Sequence, residues 1–458
     1  MEEQLAELAA KVAALESASK GANNTAFAEL YYYVTIPLMV IIHAGFLAYE
    51  MGASRLKNVL ASGIKNILAF AFMVPTFYYF GFFFYFAFPP GMPTFGDDGT
   101  WAFAMSAANP AGEVMGPNTA DQITGVFWGA FTLFAATTAS IFSGAVIERI
   151  QVVGFVILAI VLGSVAWIIG AAWGWAAGGW LVTDWGYHDF GAAGVVHMVA
   201  GFFALGVLIN LGPRIGKFNP DGSANNVSGH NMPLTCIGLM LIIVGFWGFL
   251  MACVIPPGEA WSWHGTQWAT IYGTPVTLSA LAFNILMGFA GGIIGAWMVT
   301  RDPFWMMSGA LAGIISCASG LDLFEPTQAF CIGFAGGAAL KPAAVFLEKL
   351  GIDDAVGAVT VHGTIGLWGV IACGIFAVGY PALGGDAGVP TISIVGQLVG
   401  GLTMFLLGFV PGYIVSLILR VLGLLRVGEA AEIAGLDPTK VPAKAYPEGI
   451  SASATPAE

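Results

Sequence analysis

Long apolar runs, one after another, decide what this chain can fold into. Eleven of them lie near 30–51, 60–88, 122–146, 152–181, 190–212, 232–256, 274–299, 304–323, 327–347, 355–380 and 391–425. A helix that crosses a bilayer needs about 20 mostly apolar residues. A membrane barrel alternates apolar and polar positions over roughly ten residues per strand, so continuous runs of this length exclude it. Only 9% of the 458 residues are charged, against roughly 25% in soluble domains. The expected fold is an all-α polytopic membrane protein with eleven transmembrane helices.

The placement of Lys and Arg sets the expected orientation. Arg55 and Lys57, Arg149, Arg214 and Lys217, Arg301, Lys349, and Arg426, Lys440 and Lys444 follow the odd-numbered runs. The opposite loops, 89–121, 182–189, 257–273, 324–326 and 381–390, hold no Lys or Arg. The C-terminus is therefore expected in the cytoplasm and the N-terminus outside, with Lys11 and Lys20 as exceptions. The outer loops carry Asp97, Asp98, Glu113, Asp121, Asp184, Glu259, Glu325 and Asp386, a surface that concentrates cations or simply keeps acids where bases are excluded. A net charge of −12 argues against a nucleic-acid partner.

The chain divides into an extracytoplasmic segment 1–29, an eleven-helix domain 30–425 and a cytoplasmic tail 426–458. The first segment is acidic at its start and lacks the apolar core of a signal peptide. Its Leu5, Leu8, Val12 and Leu15 follow heptad spacing, which fits a short coiled coil in an oligomer or an amphipathic interfacial helix. The cysteines Cys236, Cys253, Cys317, Cys331 and Cys373 all fall inside predicted spans and form no loop disulfide framework.

An internal repeat carries the first functional signal. DFGAAGVVHMVAG (189–201) and DAVGAVTVHGTIG (354–366) both read Asp, seven residues, His, three residues, Gly, with Val before His. The histidines, His197 and His362, fall on spans five and ten. A unit of five helices is odd, so the second copy enters the membrane from the opposite face: a five-plus-five inverted repeat with function near the midplane. Ionisable residues at membrane depth are costly and default to a functional reading. A metal site would want further ligands near the pair, and none is evident. His43 on span one reads as a packing residue. Asp189 and Asp354 suit helix N-termini as caps, and Asp189 also supplies negative potential to a cation arriving from outside. No nucleophile–base set stands out, so an enzyme is not expected, and no cofactor is implied.

These residues resemble the ammonium transporter/methylammonium permease/Rhesus family. The likeness runs from about residue 30 to 448 and rests on GFLAYEMGASRLKN (45–58), GAVIERI (144–150), DFGAAGVVH, HNMPL (230–234) and the tail from Gly423 to Glu448. It implies a homotrimer in the plasma or inner membrane, each subunit with its own pore for ammonium or methylammonium. It also implies site residues. His197 and His362 match the twin histidines of the pore, and Phe134, with Phe131 as the alternative, matches the outer aromatic gate. Phe249 matches the second gate position, Trp175 and Cys253 the recruitment vestibule, and Asp189 the aspartate beside it. A PII-type regulatory protein at the cytoplasmic face is a further implied partner.

The chemistry of those residues agrees with the likeness. Aromatic rings attract a small cation by about 0.5–2 kcal/mol each, far below the tens of kcal/mol that desolvating an ion costs. An apolar pore therefore favours splitting ammonium, with ammonia crossing and the proton relayed or left behind. Neutral imidazoles offer donors and acceptors without adding charge. Leu250 stands where the family usually has Asn, Cys253 where it has Ser, Gly357 where it often has a second Asp, and Val441, Pro442 and Ala443 where the tail often reads His-Gly-Glu. Leu250 and Cys253 make the vestibule less polar, which leaves open a permease for a different small amine. An ammonium sensor with little flux is the other competing reading, although residues 426–458 are too few for an appended signalling domain.

Overall fold

The computed structural model describes residues 2–81, 84, 85, 88, 91, 124–257, 267–385, 388–441 and 443–447. The outer-loop acids Asp97, Asp98, Glu113, Asp121, Glu259 and Asp386, and Pro442 of the tail, lie outside them. Eleven apolar helices account for most of the rest. They are α1 Glu2–Ala53, α2 Val59–Thr76, α3 Thr124–Ala145, α4 Val152–Gly174, α5 Ala193–Leu211, α6 Met232–Met251, α7 Leu278–Val299, α8 Pro303–Ala318, α9 Pro326–Lys349, α10 Val359–Phe376 and α11 Ile394–Val421. Among the described residues, ten are long and apolar enough to cross a membrane, and α8, with 16 residues, is shorter. Sheet among the described residues is limited to a two-residue ribbon, Val254–Ile255 against Ala269–Thr270, and isolated bridges such as Ile150 with Arg426.

Local chemistry explains where these helices start. Thr277, Asn231, Asp302 and Ser393 each accept a backbone N–H of the first turn of α7, α6, α8 and α11, as N-cap side chains do. Glu325 and Gln328 form a reciprocal capping box at α9, with Pro326 at the first helical position, where its missing N–H costs nothing. The first helix joins the heptad segment to the first apolar run: it is continuous from Glu2, because the Ala-, Glu- and Leu-rich start has high helix propensity. The heptad positions Leu5, Leu8, Val12 and Leu15 are exposed along it.

Glycine lets the helices approach closely. A Cβ on Gly292 of α7 would lie 2.1 Å from the Gly309 carbonyl of α8, and one on Gly337 of α9 would lie 2.0 Å from the Gly292 carbonyl. Backbone-to-backbone packing through small residues is how helices associate where lipid removes the hydrophobic drive.

Two helices at the centre share an unusual entry. Both α5 and α10 open with a wider π turn, Ala193–Met198 and Val359–Thr364. They start at opposite ends of the bundle. Arg214, three residues past the end of α5, holds Asp353, just before the start of α10. The tail is folded against that same end as two short helices, Glu429–Ala434 and Leu436–Lys440. Arg426 bonds the Leu211 carbonyl and Glu432, while the Asp437 carboxylate takes the Leu60 and Ala61 N–H groups at the start of α2.

Candidate functional site: a buried aromatic and histidine column

The two repeat histidines meet in the middle. His197 Nδ1 lies 3.0 Å from His362 Nδ1, with the rings stacked at 5.1 Å. One Nδ1 must donate and the other accept, so the rings hold complementary tautomers. His197 Nε2 is buried with no protein partner. The pair therefore presents donor and acceptor edges inside an apolar bundle and can pass a proton between its rings.

Aromatic rings continue from that pair toward the end opposite the tail. Phe246 and Phe249 of α6 stack on His197 at 5.8 and 6.0 Å. Phe249 meets Phe134 of α3 edge-on at 4.5 Å, and Phe134 meets Trp175 at 5.0 Å. Phe131 also touches Trp175, at 5.8 Å, but its other close rings include Trp128 and Trp167. Of the two sequence candidates on α3, Phe134 is the one against Phe249. Phe134 and Phe249 are fully buried. In these edge-on contacts the positive edge of one ring meets the negative face of the other.

Trp175, at the end of α4, is 1% exposed, and its indole N–H donates to the Asp189 carbonyl at 2.8 Å. Cys253, one turn beyond Phe249, is buried with its Sγ 3.6 Å from the Phe249 carbonyl. A Cβ on Gly191 would lie 2.9 Å from Leu250 Cδ2, so Leu250 packs on the segment that follows Asp189.

Asp189 is fully buried. Its Oδ2 accepts the Gly194 and Val195 N–H groups at 2.9 and 2.7 Å and the Tyr187 hydroxyl at 3.1 Å. Its Oδ1 accepts the Ser319 hydroxyl at 2.6 Å. All four partners are protein groups, and Asp189 caps the entry of α5. Burial pushes its carboxyl up from the ordinary range, and the Ser319, Val195, Tyr187 and Gly194 bonds oppose that. Asp354 does the same at α10, accepting the Ala358 and Thr360 N–H groups at 2.8 and 3.0 Å and the Thr360 hydroxyl at 3.2 Å. Its carboxyl is pushed up to about 6 by burial. Asp354 also lines a 420 Å³ cavity on the tail side, together with Trp305, Lys341 and Arg214.

Sequence reasoning missed the pair His188 and Asp322, which meet across the α8–α9 connection beside Asp189. A signal was present: Asp322 is an acid inside a predicted span, where a charge is costly. His43, read as a packing residue, has its Nδ1 3.0 Å from Ser140 Oγ. Among the described residues, no group of three or more His, Cys, Asp or Glu is placed to hold a metal.

Fold and site together define a multi-pass helical membrane protein with an aromatic and histidine column at its core. The sequence model of the Ammonium Transporter Family matches residues 30–446. The chain belongs to that family. Ammonium transporter Amt1 of Methanocaldococcus jannaschii is 31% identical over 413 residues, covering 90% of this chain and 95% of the relative. Ammonium transporter Amt2 of Archaeoglobus fulgidus is 30% identical over 436 residues, covering 90% and 86%. A solved structure named Sensor Amt Protein superposes with a TM-score of 0.75 at 27% identity, covering 92% of this chain and 99% of its own. Mep2 of Saccharomyces cerevisiae, at 19% identity, shares the fold with a TM-score of 0.67 over 88% of each chain.

Proposed function

We propose that this chain is an ammonium transporter or channel of the plasma or inner membrane, working as a homotrimer with one pore per subunit. The observation that carries the reading is the 3.0 Å His197–His362 contact at the end of the buried column of Phe249, Phe134 and Trp175. Ammonium is drawn to the far face by the field of Asp189 and by a vestibule in which Trp175 supplies the aromatic ring and Cys253 the polar edge. It gives up its proton at the Phe134–Phe249 gate, either back to water on the far side or to the histidine pair against Phe249, because dry passage of the ion would cost tens of kcal/mol. Ammonia then passes the histidine pair, which also relays the proton when transport moves charge.

The architecture that goes with this is eleven spans in a five-plus-five inverted repeat, with α8 as the shortest span. The tail faces the cytoplasm, where a PII-type protein would dock, and residues 1–29 lie outside. Opposed entry points of α5 and α10 support the repeat, and the all-or-none distribution of Lys and Arg between the two sets of loops supports the orientation.

Two further readings have support of their own. The likeness to Sensor Amt Protein favours a sensor that binds ammonium with little flux. The apolar Leu250 and Cys253 favour a permease for another small amine. The deciding experiment uses purified protein in liposomes on a solid support, with ammonium, methylammonium and potassium jumps and internal pH followed in parallel. Ammonium-evoked current or ammonia-driven pH change, with potassium silent, is the expected result. A larger methylammonium than ammonium response would favour the amine permease. Silence in both channels with ammonium binding retained would replace transport by sensing.

A further inference from the structure

In each half of the molecule the residue before the capping aspartate is itself buried and bonded to an ionisable side chain. On the tail side it is Asp353. Its carboxylate accepts the Arg214 backbone N–H at 2.8 Å and two guanidinium N–H groups at 2.9 Å each, with Arg149 Nη2 at 3.7 Å. On the far side it is His188, with no solvent exposure.

The His188 ring sits between two acceptors. Its Nδ1 is 3.0 Å from the Ala382 carbonyl oxygen, and its Nε2 is 3.1 Å from both Asp322 oxygens. A carbonyl only accepts, and so does a carboxylate. A neutral imidazole has one N–H and would aim a lone pair at one of these oxygens. The imidazolium satisfies both. Burial alone would lower the His188 pKa, but the Asp322 carboxylate outweighs it, aided by the Ala382 bond and by Asp189, and the value is raised. The Tyr272 ring covers the imidazole at 4.4 Å.

This pair is one rung of a ladder. Phe190 N–H donates to the Ser319 carbonyl at 3.0 Å, Gly191 N–H to the Ala318 carbonyl at 2.8 Å, and Ser319 Oγ to Asp189 Oδ1 at 2.6 Å. Gln397 of α11 clasps His188 from behind, its Oε1 accepting the backbone N–H at 2.9 Å and its Nε2 donating to the carbonyl at 2.8 Å. The His188–Asp322 contact ties the segment that carries Asp189, and through it Trp175, to the α8–α9 connection.

We propose that His188 is held as an imidazolium paired with Asp322, the far-side counterpart of Asp353–Arg214, and that it is a positioning residue for the vestibule segment Asp189–Ala192. The positional half of this inference rests on the transport reading; the charge state does not.

The test uses full-length protein with ¹⁵N-labelled histidine in lipid bilayers, the His188 signals being identified by their loss in His188→Gln. At pH 7.5 both ring nitrogens are expected to be protonated, and in Asp322→Asn the ring is expected to become neutral. A neutral tautomer in the unmodified protein would overturn the charged pair. In the liposome assay, Asp322→Asn is expected to raise the half-saturating ammonium concentration at least about tenfold, the scale of a small misplacement in a positioned site, with maximal current changed far less. A half-saturating concentration equal to that of the unmodified protein would overturn the positioning role. A preparation that carries no ammonium current at all would count against transport and leave the spectroscopic test of the pair standing.

Discussion

The segments 188–198 and 353–364 build the same device at opposite ends of the bundle and charge it in opposite ways. Each has a buried ion-paired residue, a capping aspartate, a left-handed residue three positions on, a π turn and a histidine eight positions after the aspartate. On the tail side the paired residue is an acid, Asp353, and Arg214 and Arg149 hold it well below the usual carboxylate range despite burial, which alone would raise it. On the far side the acid is the partner, Asp322, and the cation is a histidine. The loops of that side contain no Lys or Arg. Where those residues are excluded, a protonated imidazole is the side-chain cation left to complete a buried pair. The left-handed residue differs as well: it is Gly357 at φ +82° on the tail side and Ala192 at φ +68° on the far side. The comparison accounts for Gly357, which stands where the family often has Asp: this backbone position is one that glycine adopts without steric cost.

Substitutions in the two segments should differ in cost. The largest effect is expected from Arg214→Met, which strands the Asp353 carboxylate. Removing one partner of a buried pair costs about 3–5 kcal/mol, so the thermal midpoint of the purified protein should fall furthest of this set. An unchanged midpoint would mean that Arg149 holds Asp353 alone. Next come the caps. Asp189→Asn turns an amide nitrogen toward a site with four donors, and Asp354→Asn does so at a site with three. Losses of about 2–3 and about 1–2 kcal/mol follow from stranding buried donors, and denaturation that ranked the two the other way would contradict the bond count. Gly357→Ala is expected to destabilise by about 1–2 kcal/mol, the cost of a left-handed L-residue, because its Cβ also comes within 3.1 Å of the Trp305 ring. Ala192→Gly should lie within about 1 kcal/mol of neutral, since relief of strain and added unfolded-state freedom oppose each other. The smallest effect is expected from Cys253→Ser. One hydroxyl in place of the thiol shifts the half-saturating ammonium concentration by less than about fivefold, the worth of a hydrogen bond of about 1 kcal/mol. A larger shift would mean that the vestibule thiol sets selectivity.

Much of this molecule was legible in its sequence, and the gaps have physical causes. The apolar runs located the helices because hydrocarbon tolerates little else. The apolar run 30–51 lies inside α1, which helix propensity rather than hydropathy carries back to Glu2. The Asp-x7-His repeat pointed to His197 and His362, since spacing along one helix is readable. Ring contacts are not: with 34 phenylalanines, only the family likeness singled out Phe134 and Phe249, and packing between α3 and α6 is what sets them 4.5 Å apart. His188 and Asp322 are 134 residues apart, so no local pattern joins them, and only the fold makes a lone histidine and a lone acid into a pair.

On the proposed reading, ammonium crosses by way of the histidine pair at which α5 and α10 meet. The most direct measurement is the ammonium-evoked current of the His197→Ala/His362→Ala variant beside the unmodified protein, at matched protein density in liposomes, with internal pH recorded. The account expects the selective ammonium response to vanish in both recordings while the variant stays folded. A folded variant that still conducts ammonium, and still excludes potassium, would contradict it.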